Sequence, residues 1–111
     1  MTREQKIKQL ADAFSIARDA AARLQDHEDG GTCNFDTATI RLFRWRDDDV
    51  QQAAKIANVR AYKWEGHYYN YHVFPAGIGM GQANRRSAMA EAFSASLKES
   101  GYDTNVWYQI D

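Results

Sequence analysis

Three glycines at alternate positions, Gly77, Gly79 and Gly81, precede Gln82, Asn84 and the adjacent Arg85 and Arg86 within PAGIGMGQANRRS, residues 75 to 87. Backbone freed by glycine, unpaired amides at a helix start, the positive end of its dipole and two guanidinium forks together suit anion capture. The anion would be a phosphate, a carboxylate or a nucleic-acid backbone. The spacing is neither that of the phosphate-binding loop with its Lys-Ser/Thr pair nor that of the dinucleotide fingerprint. Arginines early in a helix run against the dipole, which argues that they face something negative, and a carboxylate of this same chain would serve as well as a ligand. The candidate anion- or partner-binding set is therefore Gly79, Gly81, Gln82, Asn84, Arg85 and Arg86, set against a purely structural strand-to-helix loop.

A second group lies in DGGTCNFD, residues 29 to 36, with His27 and Glu28 just before it. Asp, Glu, His and Cys are metal-ligand types, but their spacing is not that of a calcium loop, and one Cys with scattered His is not a zinc pattern. The favoured reading is a tight turn in which Asn34 and Asp36 cap backbone amides while Cys33 and Phe35 plug the core. A small hydrolase or metal-dependent enzyme built on Asp29, Cys33, Asp36 and a histidine is the alternative, and Cys33 as a nucleophile would need His27, His67 or His72 brought to it by the fold. Asp47 to Asp49 read as a solvated helix cap. No catalytic residue, metal ligand or cofactor is assigned.

These residues must be held by elements that the hydrophobic periodicity outlines. Ile7, Leu10, Phe14, Ala17, Ala21 and Leu24 recur at steps of three and four, predicting a helix over 3 to 25 with Thr2 as N-cap. TATIRLF, 37 to 43, alternates as a strand. A helix follows over roughly 48 to 57, opened by the aspartates and closed by Asn58 in the left-handed conformation. VRAYKWEGHYYNYHVF reads as an aromatic-rich hairpin around Glu65 and Gly66, ended by Pro75. A helix over about 83 to 100 stacks Met89, Phe93 and Leu97, with Gly101 after it, and YDTNVWYQI supplies the last strand.

Without the first helix the order is strand, helix, strand, strand, helix, strand. That is the ferredoxin-like βαββαβ arrangement, an α+β fold of four antiparallel strands with two helices on one face, here preceded by an N-terminal amphipathic helix. Right-handed crossovers place the first and third strands in the centre and the last beside the first. The chain reads as one domain over 1–111, with the helix in 1–26 and the βαββαβ unit in 37–111.

A two-residue loop at Glu65 and Gly66 would set Trp64 opposite His67, Tyr62 opposite Tyr69 and Arg60 opposite Tyr71, and turn these with Val73 toward the helices. A three-residue loop would shift the register by one and mix the two faces. On this register the other face gathers Arg41, Phe43, Lys63, Tyr68, Asn70, His72, Trp107 and Gln109, of which Arg41, Lys63, Tyr68, His72 and Trp107 are the candidate sheet-face site. Rings interleaved with basic and amide groups can stack bases or other flat ligands. Helix one has its own apolar stripe to bury, and the favoured expectation lays it across this face, covering some of the rings. A coiled-coil-like seam on the same stripe offers weak dimerisation as the lesser outlet.

Composition narrows the partner classes. One hundred and eleven residues with 44% hydrophobic and 13% aromatic content predict a folded globule with one modest core. A net charge of -1, from 14 basic and 15 acidic residues, leaves no global field for nucleic acid or membrane. The single Cys33 fits a reducing compartment, and the charged N-terminus and absence of a long apolar run predict a cytoplasmic protein with no membrane partner.

DGGTCNFD, and GQANRRS followed by GYDTNVWYQID, resemble segments of a set of small, largely uncharacterised proteins from phages, prophages and mobile elements of gut bacteria. The likeness covers most of the chain after residue 28 and leaves helix one outside it. It implies a setting in which small proteins act by binding, among them inhibitors of host immunity such as anti-CRISPR proteins, and no site residue is carried over from it. The expectation is a non-catalytic binding protein, monomer or weak dimer, that inhibits a host defence protein or ribonucleoprotein. The alternative is a module binding single-stranded RNA, DNA or a nucleotide on the aromatic sheet face.

Overall fold

A computed structural model describes residues 1–24, 36–64, 69–77 and 83–108, the side chains of Ala83 and Asn84 excepted. Helix α1 spans Arg3–Ala22. Its capping box is complete: the Thr2 hydroxyl accepts the Gln5 amide at 3.1 Å and the Gln5 side-chain oxygen accepts the Thr2 amide at 2.9 Å. Strand β1 (Thr37–Arg41) leads into α2 (Asp47–Ala57), then β2 (Val59–Lys63), β3 (Asn70–Pro75), α3 (Ala83–Glu99) and β4 (Asp103–Trp107).

The helix ends follow from local chemistry. Asn58 closes α2 at φ 58°, ψ 50°, as expected of a residue that tolerates the left-handed region. Arg46 is the N-cap of α2 and offers no side-chain cap, so Asp47, Asp48 and Asp49 occupy the first turn instead. Gly101, at φ 94°, ends α3 in a Schellman motif: the Tyr102 amide donates to Leu97 O at 3.1 Å and the Gly101 amide to Lys98 O at 3.0 Å.

The four strands form one antiparallel sheet in the order β2-β3-β1-β4, with the first and third strands central and the last beside the first. Ala38, Ile40, Val59, Ala61, Tyr71, Val73 and Thr104 are buried on the side that meets the helices. Helix α2 covers β2 and α3 covers β1 and β4, while α1 packs against both helices and reaches β3 and β2. The first helix thus lies between the two crossover helices, on their side of the sheet, and not across the opposite face as expected. The reason is visible in its burial. Ile7, Leu10, Phe14, Ala17 and Ala21 are buried as the stripe predicts, but so are Ala11 and Ala13, which widen the stripe into two flanks. Small residues on those flanks let α1 approach two neighbours at once, and Ala53, Ala54, Ala57 and Ala90 answer from α2 and α3.

Polar ties fix α1 in that position. Arg3 pairs with the buried Asp49 of α2 at 2.6 Å, so the acidic triplet is not simply solvated. Arg18 reaches the opposite end, donating to Asn58 O at 3.0 Å and Ala76 O at 3.1 Å, where β3 leaves the sheet. At the sheet's two outer strands, Gln51 donates to the Ala61 carbonyl at 2.9 Å and Asn105 Oδ1 accepts the Val106 amide at 2.9 Å.

Candidate functional site on the open sheet face

The hairpin register decides what the free face displays. Tyr62 pairs with His72 and Lys63 with Tyr71, and the Trp64 amide donates to Asn70 O at 2.8 Å, so the ladder continues to Trp64 and Asn70. The partner of Tyr62 is therefore His72 instead of Tyr69, a slip of three (72 − 69), and an odd slip reverses the faces of β2. Asn70, His72 and Phe74 remain on the open face and Tyr71 and Val73 on the helix side, as expected. Arg60, Tyr62 and Trp64 exchange places with Val59, Ala61 and Lys63. Burial explains the choice: Val59 and Ala61 fit beneath α2, whereas Arg60 in that place would need a buried partner for its charge.

Three rings meet on the open face. Trp64 and His72 centroids are 4.8 Å apart, Trp64 and Trp107 5.7 Å, and His72 and Trp107 5.4 Å. Tyr62, half exposed at 50%, stacks obliquely on Phe74 at 5.7 Å and accepts a hydrogen bond from Arg60 at 3.2 Å. Beyond the end of β1, Phe43 is 65% exposed and meets Tyr69 edge-on at 5.4 Å. Tyr62 and Trp64, His72 and Phe74, and Trp107 fall on alternate positions that share one face of the sheet, so the pleat aims these five together. Among the described residues no helix lies on them.

Beside the rings is a concavity of about 240 Å³ lined by Thr39, Arg41, Trp64, Asn70 and Asn105 together with Asp103 and Thr104. Arg41 donates to the Tyr69 hydroxyl at 3.1 Å and stands 3.9 Å from the Asp103 carboxylate. Burial disfavours protonation of His72 and holds its imidazole below the ordinary value. Two buried polar atoms on this face, Asn70 Oδ1 and His72 Nδ1, have no hydrogen-bond partner among the described residues. Such atoms are rare in folded proteins and ask for an explanation.

Of the sheet-face candidates, the fold brings His72 and Trp107 into ring contact and sets Arg41 at the edge of the same face. Lys63 is displaced to the helix-side register opposite Tyr71, away from that cluster. Tyr68 lies outside the described residues. Trp64, Asn70 and Asn105 complete the site. Trp64 escaped notice because a two-residue turn turns it inward; the signal that could have found it is Arg60, which shares its face and could not be buried unpaired.

The Gly-rich candidate is only partly described. Gly79, Gly81, Gln82 and the Asn84 side chain lie outside the described residues; Gly77 has φ 73°, a conformation that suits glycine. Arg86 turns out to have an intrachain task. Its Nε donates to Asp36 O at 2.8 Å, and the neighbouring Ser87 hydroxyl donates to the Asp36 carboxylate. Asp36 is 1% exposed, so this cluster fastens the entrance of β1 to the first turns of α3. Burial lowers the affinity of Arg86 for its proton, with Asp36 opposing that effect. Arg86 is thus held by a main-chain carbonyl of the chain itself, with the Asp36 carboxylate close enough to favour its charge, and Asp36 serves as an anchor. Arg85 is partly buried and also engaged in an interaction of its own.

His27, Glu28, Asp29 and Cys33 fall outside the described residues. Among the described residues no three His, Cys, Asp or Glu side chains converge as metal ligands, and no helix is long and apolar enough to cross a membrane. Comparison with protein-family models, with curated proteins and with solved structures gives no match.

Proposed function

We propose that this chain is a small non-catalytic binding protein that inhibits a host defence ribonucleoprotein or protein, in the manner of anti-CRISPR proteins, from the cytoplasm of a bacterium carrying a phage or mobile element. We further propose that its scaffold is ferredoxin-like, with α1 as an added helix between the two crossover helices. The strand order supports that assignment. The single observation that carries the functional reading is the open sheet face: a ring cluster of Trp64, His72 and Trp107, flanked by Tyr62, Phe74, Arg41 and Arg60, on which none of the helices rests. Trp, Tyr and Arg are the residues that dominate binding energy at interfaces, and burying rings of this size contributes most when they are clustered at its centre. The setting comes from the resemblance of DGGTCNFD, GQANRRS and GYDTNVWYQID to proteins of phages and mobile elements.

Affinity capture of the tagged protein from its bacterial host, with and without nuclease, tests the reading. A host protein component should survive nuclease and be lost from the Trp64→Ala and Trp107→Ala variants, and the same variants should lose inhibition of the host's defence against an incoming phage or plasmid. Recovery of free RNA or DNA alone, or inhibition that persists in both variants, would overturn it.

A further inference from the structure

We infer that the concavity on the open face, with the rings beside it, is a stacking site for an unpaired nucleobase of single-stranded RNA or DNA. The inference rests on the reading of that face as the binding surface and names what the face recognises. Every sizeable apolar group among the described positions of the face is a ring: Tyr62, Trp64, His72, Phe74 and Trp107. The aliphatic residues Ala38, Ile40, Val59, Ala61 and Val73 all lie on the helix side. A face whose apolar groups are all flat rings can stack the flat rings of bases, each of which has a π-face to offer.

The polar groups point the same way. Thr39, Asn70 and Asn105 line the concavity, where the Thr39 hydroxyl donates to Asn105 O at 3.3 Å and Asn105 Oδ1 accepts the Val106 amide. Among the described residues the Asn70 and Asn105 amide N–H groups and the Thr39 oxygen are left for a ligand, and Arg41 adds a guanidinium. A base edge presents donors and acceptors side by side, so mixed amide and hydroxyl groups can pair with it. At about 240 Å³ the space is smaller than sites for drug-sized ligands and suits a single heterocycle. Charge is complementary as well: Arg41 and Arg60 outnumber Asp103 on this face although the whole chain carries a net charge of -1. Two arginines can meet two phosphates of a strand that runs across the sheet, without the broad basic surface that duplex binding requires.

Tryptophan emission provides the test. Trp45 lies outside the ring cluster, beneath Lys6 at 4.7 Å, so Trp45→Phe confines emission to Trp64 and Trp107. Short unstructured oligothymidylate and oligouridylate should quench that emission saturably at low salt. Trp64→Ala or Trp107→Ala should weaken binding roughly tenfold or more, and Trp107→Phe, which keeps a ring, should retain most of it. The logarithm of affinity should fall with the logarithm of salt with a slope of about −1.4, for two phosphate contacts, and Arg41→Gln should reduce that slope by about half. Circular dichroism confirms folding of each variant, and Asn105→Ala, on an exposed position of the last strand, serves as a second probe that leaves the rings intact.

Absence of quenching by the folded protein, or equal affinity in the Trp64→Ala and Trp107→Ala variants, would overturn the inference. Capture of a host protein that depends on these rings, together with no oligonucleotide binding, would overturn it while leaving the proposed function standing. Ring-dependent oligonucleotide binding without any host complex or inhibition would sustain it and remove the proposed function instead.

Discussion

At the scale of single residues, Asp49 and His72 divide the acid side of the stability profile into two windows. The Asp49 carboxylate is held below its ordinary value of 3.8 chiefly by its hydrogen bond from Arg3. Its contribution is present above that value and is lost as pH falls through the lower, folded one. His72 is held below its ordinary value of 6.5 by burial, so the unfolded chain takes up a proton there before the folded protein does. Stability must therefore decline as pH falls from about neutrality toward the folded value, well before Asp49 titrates. His72→Phe should flatten the profile in the upper window and leave the lower one, while Arg3→Gln should do the reverse. Urea denaturation midpoints measured across pH distinguish the two; a slope in the upper window that survives His72→Phe would show that another group carries it.

At the scale of elements, the β2–β3 hairpin shows both what was legible in the sequence and where legibility ended. Crossover handedness placed the two central strands, and periodicity placed all seven elements, because apolar spacing and end residues such as Asn58 and Gly101 act locally. The faces of β1, β3 and β4 were legible for the same reason. Those of β2 were not, since one and the same sequence between Lys63 and Asn70 is compatible with registers that differ by an odd number of residues and point the side chains of β2 in opposite directions. The Arg86–Asp36 contact was hidden differently: it joins residues 50 apart in sequence, and only the packing of α3 against β1 brings them together. The register makes a sharp prediction. Ala61→Leu should overpack the space beneath α2 and destabilise by about 1–3 kcal/mol. Arg60→Leu, on the open face, should stay within about 0.5 kcal/mol. Denaturant titration of both variants checks this, and the opposite ranking would restore the two-residue turn.

At the scale of the whole molecule, α1 is the middle of the helix layer although it lies outside the βαββαβ order. Leu10, Phe14 and Ala17 are fully buried in the same cluster as Ile40, Val73, Met89 and Phe93, so the sheet and its crossover helices do not enclose a core without it. A chain lacking residues 1 to 24 should lose cooperative thermal unfolding altogether, as expected when most of one face of a small core is removed. A sharp melting transition in the truncated chain would show instead that α2 and α3 can close over the sheet by themselves. The position of α1 also explains why, among the described residues, no helix covers the ring face: the apolar stripe that could have covered it is spent on the other side of the sheet.

The side-chain bonds at the two outer strands bear on a different matter, the behaviour of the protein when crowded during synthesis. A sheet with bare edges is a template for adding strands from other copies, and aromatic strands such as β2 and β4 are prone to it. With the Ala61 carbonyl occupied by Gln51 and the Val106 amide by Asn105, each edge presents an interrupted row of hydrogen-bonding groups. Sideways pairing between copies is thereby disfavoured at both outer strands, independently of what the ring-bearing face does.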